Sequence, residues 1–313
     1  MRAATIEGTW TDQLRRRIYC AILFVTACRG AHEKLNFNWI KLKSTQTLSS
    51  WYLKMNSTKS VITLTFGDSA ENHVGMEKIG TMVEAGMGYQ VSDLQALYDS
   101  LTKLGASCEI HTLNKIPEHH EASVLVVRDG VNTLLTGHGY TKDSLFEEQA
   151  KLNVDKKAYM YGRVVNKHAR WNLCFDDEGQ EPDYENGKGR IVGYKDLPVT
   201  KCLKEALPRY FGEKAVGLKC EGNYYYDIAK CGIGFHGDSE RRKVVGVRLG
   251  ASMDLHFQWH LEGDAVGERI KLPLNGGDIY VMSEKAVGTD WKRKKIYTVR
   301  HATGCAKYLN EGV

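Results

Sequence analysis

The sequence predicts an α+β protein in which a mixed α/β N-terminal region precedes a two-sheet antiparallel barrel, a jelly roll. Two patterns predict it. From about residue 158 onward, short apolar runs recur between Gly, Asn and Asp, with only one helix-length segment among them. Before that point, a run of period-two alternation and a run of helical period lie close together. Composition agrees, since 42% hydrophobic residues and five prolines among 313 suit a chain that buries a core. We divide the chain into an N-terminal extension at 1–58, a mixed α/β region at 59–150 and a jelly-roll domain at 151–313.

In the extension, Arg15, Arg16 and Arg17 precede an apolar run at 18–28 that is too short to span a bilayer. Basic residues ahead of an apolar stretch suit a targeting segment, although Glu7 and Asp12 precede the arginines. The expectation is an intracellular protein, cytoplasmic or nuclear, with no membrane partner. The eight cysteines are scattered and form no C-x-x-C pair, which argues against a structural zinc site and for reduced thiols. A net charge of +5 permits an anionic partner without demanding one.

The elements follow in order. Val61 to Phe66 alternates apolar residues with Thr63 and Thr65 and reads as a strand ending in Gly67-Asp68. Leu94, Leu97, Leu101 and Leu104 recur at helical spacing, and Gly105 closes that helix. Strands are expected at 107–113 and 122–127, and 137–150 reads as a polar connection. His119-His120-Glu121 beside Pro117 could pair on a metal but reads better as a solvated turn. Strands then come at 159–165, 170–175 and 190–194, a helix at 199–211, and strands at 216–221, 224–228, 233–236, 244–249, 255–259, 270–274, 278–282 and 296–301.

The chemistry concentrates in N-Y-Y-Y-D-I-A-K-C-G-I-G-F-H-G-D, which spans 223–238, together with Arg300-His301. Among eleven histidines an isolated His-x-Asp carries little, and its plain reading is a strand end followed by a turn aspartate. A later histidine on another strand changes its value. His236, Asp238 and His301 could then hold a metal by one face and leave positions open, the two-histidine, one-carboxylate pattern of non-haem Fe(II) oxygenases. Two basic clusters, Arg241-Arg242-Lys243 and Lys292 to Lys295, flank these motifs. Either could grip phosphates or form a solvated turn. Trp171, Tyr224, Tyr226, Trp259 and Trp291 offer rings for stacking or for the core. Tyr224 and Tyr226 face away from Tyr225, so at most one set lines a pocket.

The segment from about 158 to 305 resembles the iron- and 2-oxoglutarate-dependent dioxygenases, and most of all the AlkB family. Asn223 and Tyr225 match that family's 2-oxoglutarate contacts, and His236 and Asp238 match its first two iron ligands. Glu240-Arg241, V-V-G-V-R-L-G at 244–250, G-D-I-Y-V-M at 277–282 and K-K-I-Y-T-V-R at 294–300 resemble the strands that follow. The resemblance implies a double-stranded β-helix, with Fe(II), 2-oxoglutarate and O2 as cofactor and co-substrates. It also implies oxidation of a methylated nucleic-acid base or nucleotide.

Two assignments stay open at this stage. With His301 as third ligand, Arg300 points to the opposite face of its strand, and the cation for the keto acid is Arg248 or Lys307. Alternatively Arg300 is the family's closing arginine with Lys294 as its partner, and Asp290 or water completes the metal shell. Two other functional readings stand beside the first, a hydroxylase of a small molecule or protein side chain and a barrel that binds ligand without turnover.

Overall fold

The computed structural model describes residues 58–114, 116 and 121–310. The extension up to residue 57 and the His119-His120 pair lie outside the described residues.

Among the described residues, sixteen strands and six α-helices follow one another. First come β1 (Val61–Gly67), β2 (Ser69–Glu71), β3 (Lys78–Gly80), α1 (Val91–Lys103), β4 (Ser107–Thr112), β5 (Ser123–Arg128), α2 (Gly130–Leu135) and α3 (Lys142–Ala150). Next are β6 (Lys157–Met160), β7 (Arg163–Asn166), β8 (Trp171–Asp176), β9 (Ile191–Gly193), α4 (Pro198–Phe211), β10 (Lys219–Tyr225), β11 (Gly232–His236) and β12 (Val244–Gly250). Last are β13 (Leu255–Leu261), β14 (Asp264–Leu272), β15 (Ile279–Met282), α5 (Glu284–Val287), β16 (Thr298–Gly304) and α6 (Ala306–Leu309). The fold is α+β with mostly antiparallel sheets.

An eight-stranded sheet runs in the order β4-β5-β15-β12-β1-β10-β8-β9, and a four-stranded sheet runs β11-β16-β13-β14. Every pair in them is antiparallel except β8 with β9. Strand β1 therefore lies in the middle of the larger sheet, between β10 and β12. The 59–150 region shares that sheet with the region that follows it.

Side-chain alternation explains the layering. Ile62, Leu64 and Phe66 on one face of β1 pack with Leu94 and Leu101 of α1, Leu145 of α3 and Leu203 and Leu207 of α4. Burying each such side chain contributes roughly 1.5–3 kcal/mol. A second cluster joins β12, β13, β15 and β16 through Val244, Phe257, Trp259, Tyr280 and Val299.

Several element expectations need correction. The 137–150 stretch contains helix α3, because Thr141 and Ser144 cap it reciprocally: Ser144 N donates to Thr141 Oγ1 at 3.2 Å and Thr141 N to Ser144 Oγ at 2.8 Å. The expected strand at 159–165 is a hairpin, β6–β7, that turns at Tyr161-Gly162. The strands expected at 216–221 and 224–228 are one strand, β10, with an unbroken register against β1. Strand β14 begins at Asp264, where exposed charges hide it from any apolar pattern.

Candidate metal centre

The HGD motif is placed by backbone constraints before any side chain acts. His236 ends β11, and its cross-strand partner on β16 is His301. Asp238 sits in the turn beyond, where its N–H donates to the Val287 carbonyl at 3.0 Å. The residue between must be glycine, since a Cβ on Gly237 would lie 2.0 Å from the Gly288 carbonyl oxygen. The turn thus brings the carboxylate back beside both imidazoles.

One ligand atom from each of His236, Asp238 and His301 lies within 4.8 Å of the others. His236 Nε2 is 3.7 Å, and His301 Nε2 3.4 Å, from Asp238 Oδ1. His236 Nδ1 lies 2.8 Å from the Gly234 carbonyl and must donate to it, which fixes the tautomer and leaves the Nε2 lone pair facing the carboxylate. Burial, reinforced by His301, pushes the His236 pKa down to about 3, so the ring is neutral at physiological pH. Burial alone would raise the Asp238 pKa, but the Arg241 guanidinium and His301 outweigh it and hold the group well below the usual carboxylate range. Two imidazole nitrogens and an ionised carboxylate form a donor set suited to a divalent first-row metal with open positions. Among the described residues this is the one group of three such side chains close enough to share an ion.

The triad lines a cavity of about 730 Å³. Its floor is the inner face of the large sheet, where Asn223, Thr63 and Arg248 sit side by side across β10, β1 and β12. Arg248 is only 1% exposed. Its Nη1 donates to Thr63 Oγ1 at 2.8 Å, while its Nε has no hydrogen-bond partner among the described residues. Among the described residues no carboxylate pairs with it. Tyr225 lies on the same face, and burial raises its phenol pKa, so it keeps its proton. Asn223 is held in place, its Oδ1 accepting from Arg170 Nε at 2.6 Å and Asn172 Nδ2 at 2.8 Å, and its Nδ2 donating to Glu221.

The other cation candidates lie elsewhere. Arg300 points to the far side of β16, with its guanidinium over the Trp291 ring at 5.4 Å. Lys294 is exposed in the preceding loop, and Lys307 is exposed on α6. Asp290 is taken by Lys285, whose Nζ donates to it at 2.8 Å, and does not join the triad. Of the rings, Trp291 lines the cavity, Tyr224 and Trp259 are core, and Trp171 stacks on Tyr226 with centroids 4.3 Å apart.

In the first basic cluster, Arg241 and Arg242 are both engaged by carboxylates. Arg241 is 3% exposed, and its Nη2 donates to Glu221 at 2.5 Å and to Glu240 at 2.6 Å, with Asp238 3.6 Å from its Nε. Arg242 pairs with Glu284. Glu221, Glu240 and the triad's own Asp238 thus surround one guanidinium. Sequence reasoning missed Glu221, Thr63 and the Glu71–His73 stretch, which also lines the cavity. Only the Thr63/Thr65 alternation within β1 marked one face of that strand as polar.

No family model matches the chain. The chain is 46% identical over 261 residues to a protein described as "Uncharacterized protein R156" from Acanthamoeba polyphaga mimivirus, covering 82% of this chain and the whole viral protein. At that identity and coverage, the chain belongs to the same family as the mimiviral protein R156.

Proposed function

We propose that this protein is an Fe(II)- and 2-oxoglutarate-dependent dioxygenase of the AlkB type that oxidises a nucleic-acid base or nucleotide. One observation carries the reading: a His-Asp-His triad and a buried arginine that has no carboxylate partner among the described residues share one cavity. The winding supports it as well. After β10 the chain crosses repeatedly between the large and the small sheet, with β13 and β14 as neighbours in the small one, and β1 fills the place between β10 and β12, a winding that suits a jelly roll.

His236 Nε2, the Asp238 carboxylate and His301 Nε2 would hold the iron. Bound iron, with the keto acid and dioxygen, supplies the oxidising chemistry. The protein's part is placement. Gly234 fixes the His236 ring, and Arg241 turns the Asp238 carboxylate towards both histidines. Arg248 offers a planar fork to the far carboxylate of the keto acid, with the Thr63 hydroxyl beside it. Tyr225 presents a protonated phenol on the same floor. Trp291 gives the mouth of the cavity a flat apolar side on which a planar ring can lie.

The test is iron-dependent conversion of 2-oxoglutarate to succinate, measured with iron stoichiometry and oxoglutarate binding. The wild type should bind one iron and turn over. His236→Ala and His301→Ala should lose both properties. A wild type that binds neither iron nor oxoglutarate would remove this reading in favour of a barrel that binds another ligand.

A further inference from the structure

A polar row crosses the large sheet at the cavity floor. Asn172 of β8, Asn223 of β10, Thr63 of β1 and Arg248 of β12 face one another across neighbouring strands. Arg248 stands at one end of the row. At the other end lies another buried cation, Lys167, which the proposed reading does not use. It follows β7 in the chain and is 9% exposed. Its Nζ donates to Asn172 Oδ1 at 3.0 Å, to Asn72 Oδ1 at 2.7 Å and to the Asn72 carbonyl at 3.4 Å. All three partners are neutral oxygens. Burial pushes its pKa down to about 8, partly opposed by Asp155, so the group is mostly charged at pH 7. A buried ammonium held only by amides is costly, which points to a role for the directions it imposes on them.

Those directions can be followed bond by bond. An ammonium only donates, so the atoms it meets on Asn172 and Asn72 are the amide oxygens. Asn172 then has its Nδ2 turned to β10, where it donates to Asn223 Oδ1 at 2.8 Å. Arg170, another pure donor, gives its Nε to the same oxygen at 2.6 Å. On its other side Asn223 meets a carboxylate, and its Nδ2 donates to Glu221 Oε1 at 2.8 Å. Glu221 is itself tied to Arg241. Donors on one side and an acceptor on the other leave one orientation for the Asn223 amide. An amide nitrogen carries two protons, and Glu221 takes one. The second has no partner among the described residues, and Asn223 lines the cavity. Turned the other way round, the same side chain would offer the cavity an oxygen, which repels the oxygens of a keto acid.

We propose that Lys167 is a positioning residue for oxoglutarate, which acts through Asn172 to keep one N–H of Asn223 directed at an oxygen of the keto acid. The proposal rests on reading the cavity as an oxoglutarate site. Lys167 is not among the residues that line the cavity. It fixes the polarity of a relay whose last member does line it. Asn72, the second partner of Lys167, donates to Asp155 at 2.9 Å, and Tyr184 bonds the same carboxylate at 2.7 Å, so that partner is anchored in turn.

The test measures oxoglutarate binding by calorimetry to the full chain loaded with Mn(II) in place of iron. Asn172→Asp is the informative variant. It has the shape of asparagine and sets a carboxylate against the buried ammonium, so its melting temperature should equal or exceed that of the wild type. It keeps the acceptor that Lys167 needs and loses the donor that Asn223 needs. Its dissociation constant for oxoglutarate should therefore rise about tenfold, the loss of one hydrogen bond to a charged group. Lys167→Met should weaken binding by a similar factor, and manganese stoichiometry should stay at the wild-type level in both. Asn223→Ala removes the last member of the relay, and in that background Asn172→Asp should weaken binding no further. Wild-type affinity in Asn172→Asp would overturn the proposal. So would losses that simply add in the double variant, because a charge effect or a general loosening would persist without Asn223. A wild type that binds manganese but no oxoglutarate would remove the oxygenase reading and this proposal together, whereas wild-type binding with unaffected variants would remove this proposal alone.

Discussion

Arg248 brings a positive charge to a place that is 1% exposed and meets it with one hydroxyl, that of Thr63 at 2.8 Å. Desolvating an ion costs several kcal/mol even after relaxation, and a single neutral acceptor offsets little of that. On the proposed reading, the keto acid brings the missing carboxylate. Two consequences follow for Arg248→Met, which keeps the volume and removes the charge. The free protein should melt at the same temperature as the wild type or higher, since replacing a poorly paired buried charge by an apolar group is often neutral or stabilising by about 1–4 kcal/mol. Oxoglutarate should raise the melting temperature of the wild type and leave that of the variant unchanged, while iron stoichiometry stays at the wild-type level. Thermal melts with and without oxoglutarate read both effects, and a variant still stabilised by oxoglutarate would move the anchor to another residue.

At the scale of elements, β4 closes the large sheet as an edge strand, and a charge cluster ties it inward. Arg128 of β5 donates through Nε and Nη2 to Glu109 of β4, both at 2.8 Å, and through Nη1 to Asp278 at 2.7 Å. The hydrogen bonds from Arg128 hold the Glu109 pKa down to about 2 from its usual 4.5, against the opposing effect of burial. A carboxylate with a lowered folded-state pKa stabilises the fold above its unfolded value and loses that contribution as pH falls through the folded one. Glu109→Gln should therefore melt below the wild type at pH 7, and the gap should close between about pH 4.5 and pH 2. Because Glu109 is 43% exposed, solvent screening keeps the gap small. A gap that is constant across that range would mean that Arg128 is held by Asp278 alone. Element identities were largely legible here, because β4, β5 and α1 carry clean apolar periods. Helix α3 was not, since its signal lies in the Thr141–Ser144 cap rather than in an apolar stripe.

Across the whole molecule, what was legible was local. The HGD turn and the paired histidine on a later strand stand out in the residues themselves, and the alternation in T-V-R-H-A separates His301 from Arg300. Strand neighbours are a different matter, because period-two alternation fixes which face a residue occupies and not which strand lies beside it. That is why β1 read as part of a separate N-terminal region although it completes the cavity floor. Every residue of β1 is buried, and it pairs with β10 on one side and β12 on the other. A fragment spanning 151–313 holds the triad and Arg248 but lacks β1, β4 and β5. It leaves β10 and β12 with unpaired edges on either side of the gap, strips β15 of its partner β5, and removes Thr63 from Arg248. Open apolar edges of that kind associate with one another. The fragment should lack near-UV circular dichroism, elute as aggregate in size exclusion and bind no oxoglutarate, whereas the full chain should bind it. A monomeric fragment with a native-like near-UV spectrum would show that the antiparallel sheets close without β1, and the large sheet would then be two separable units rather than one.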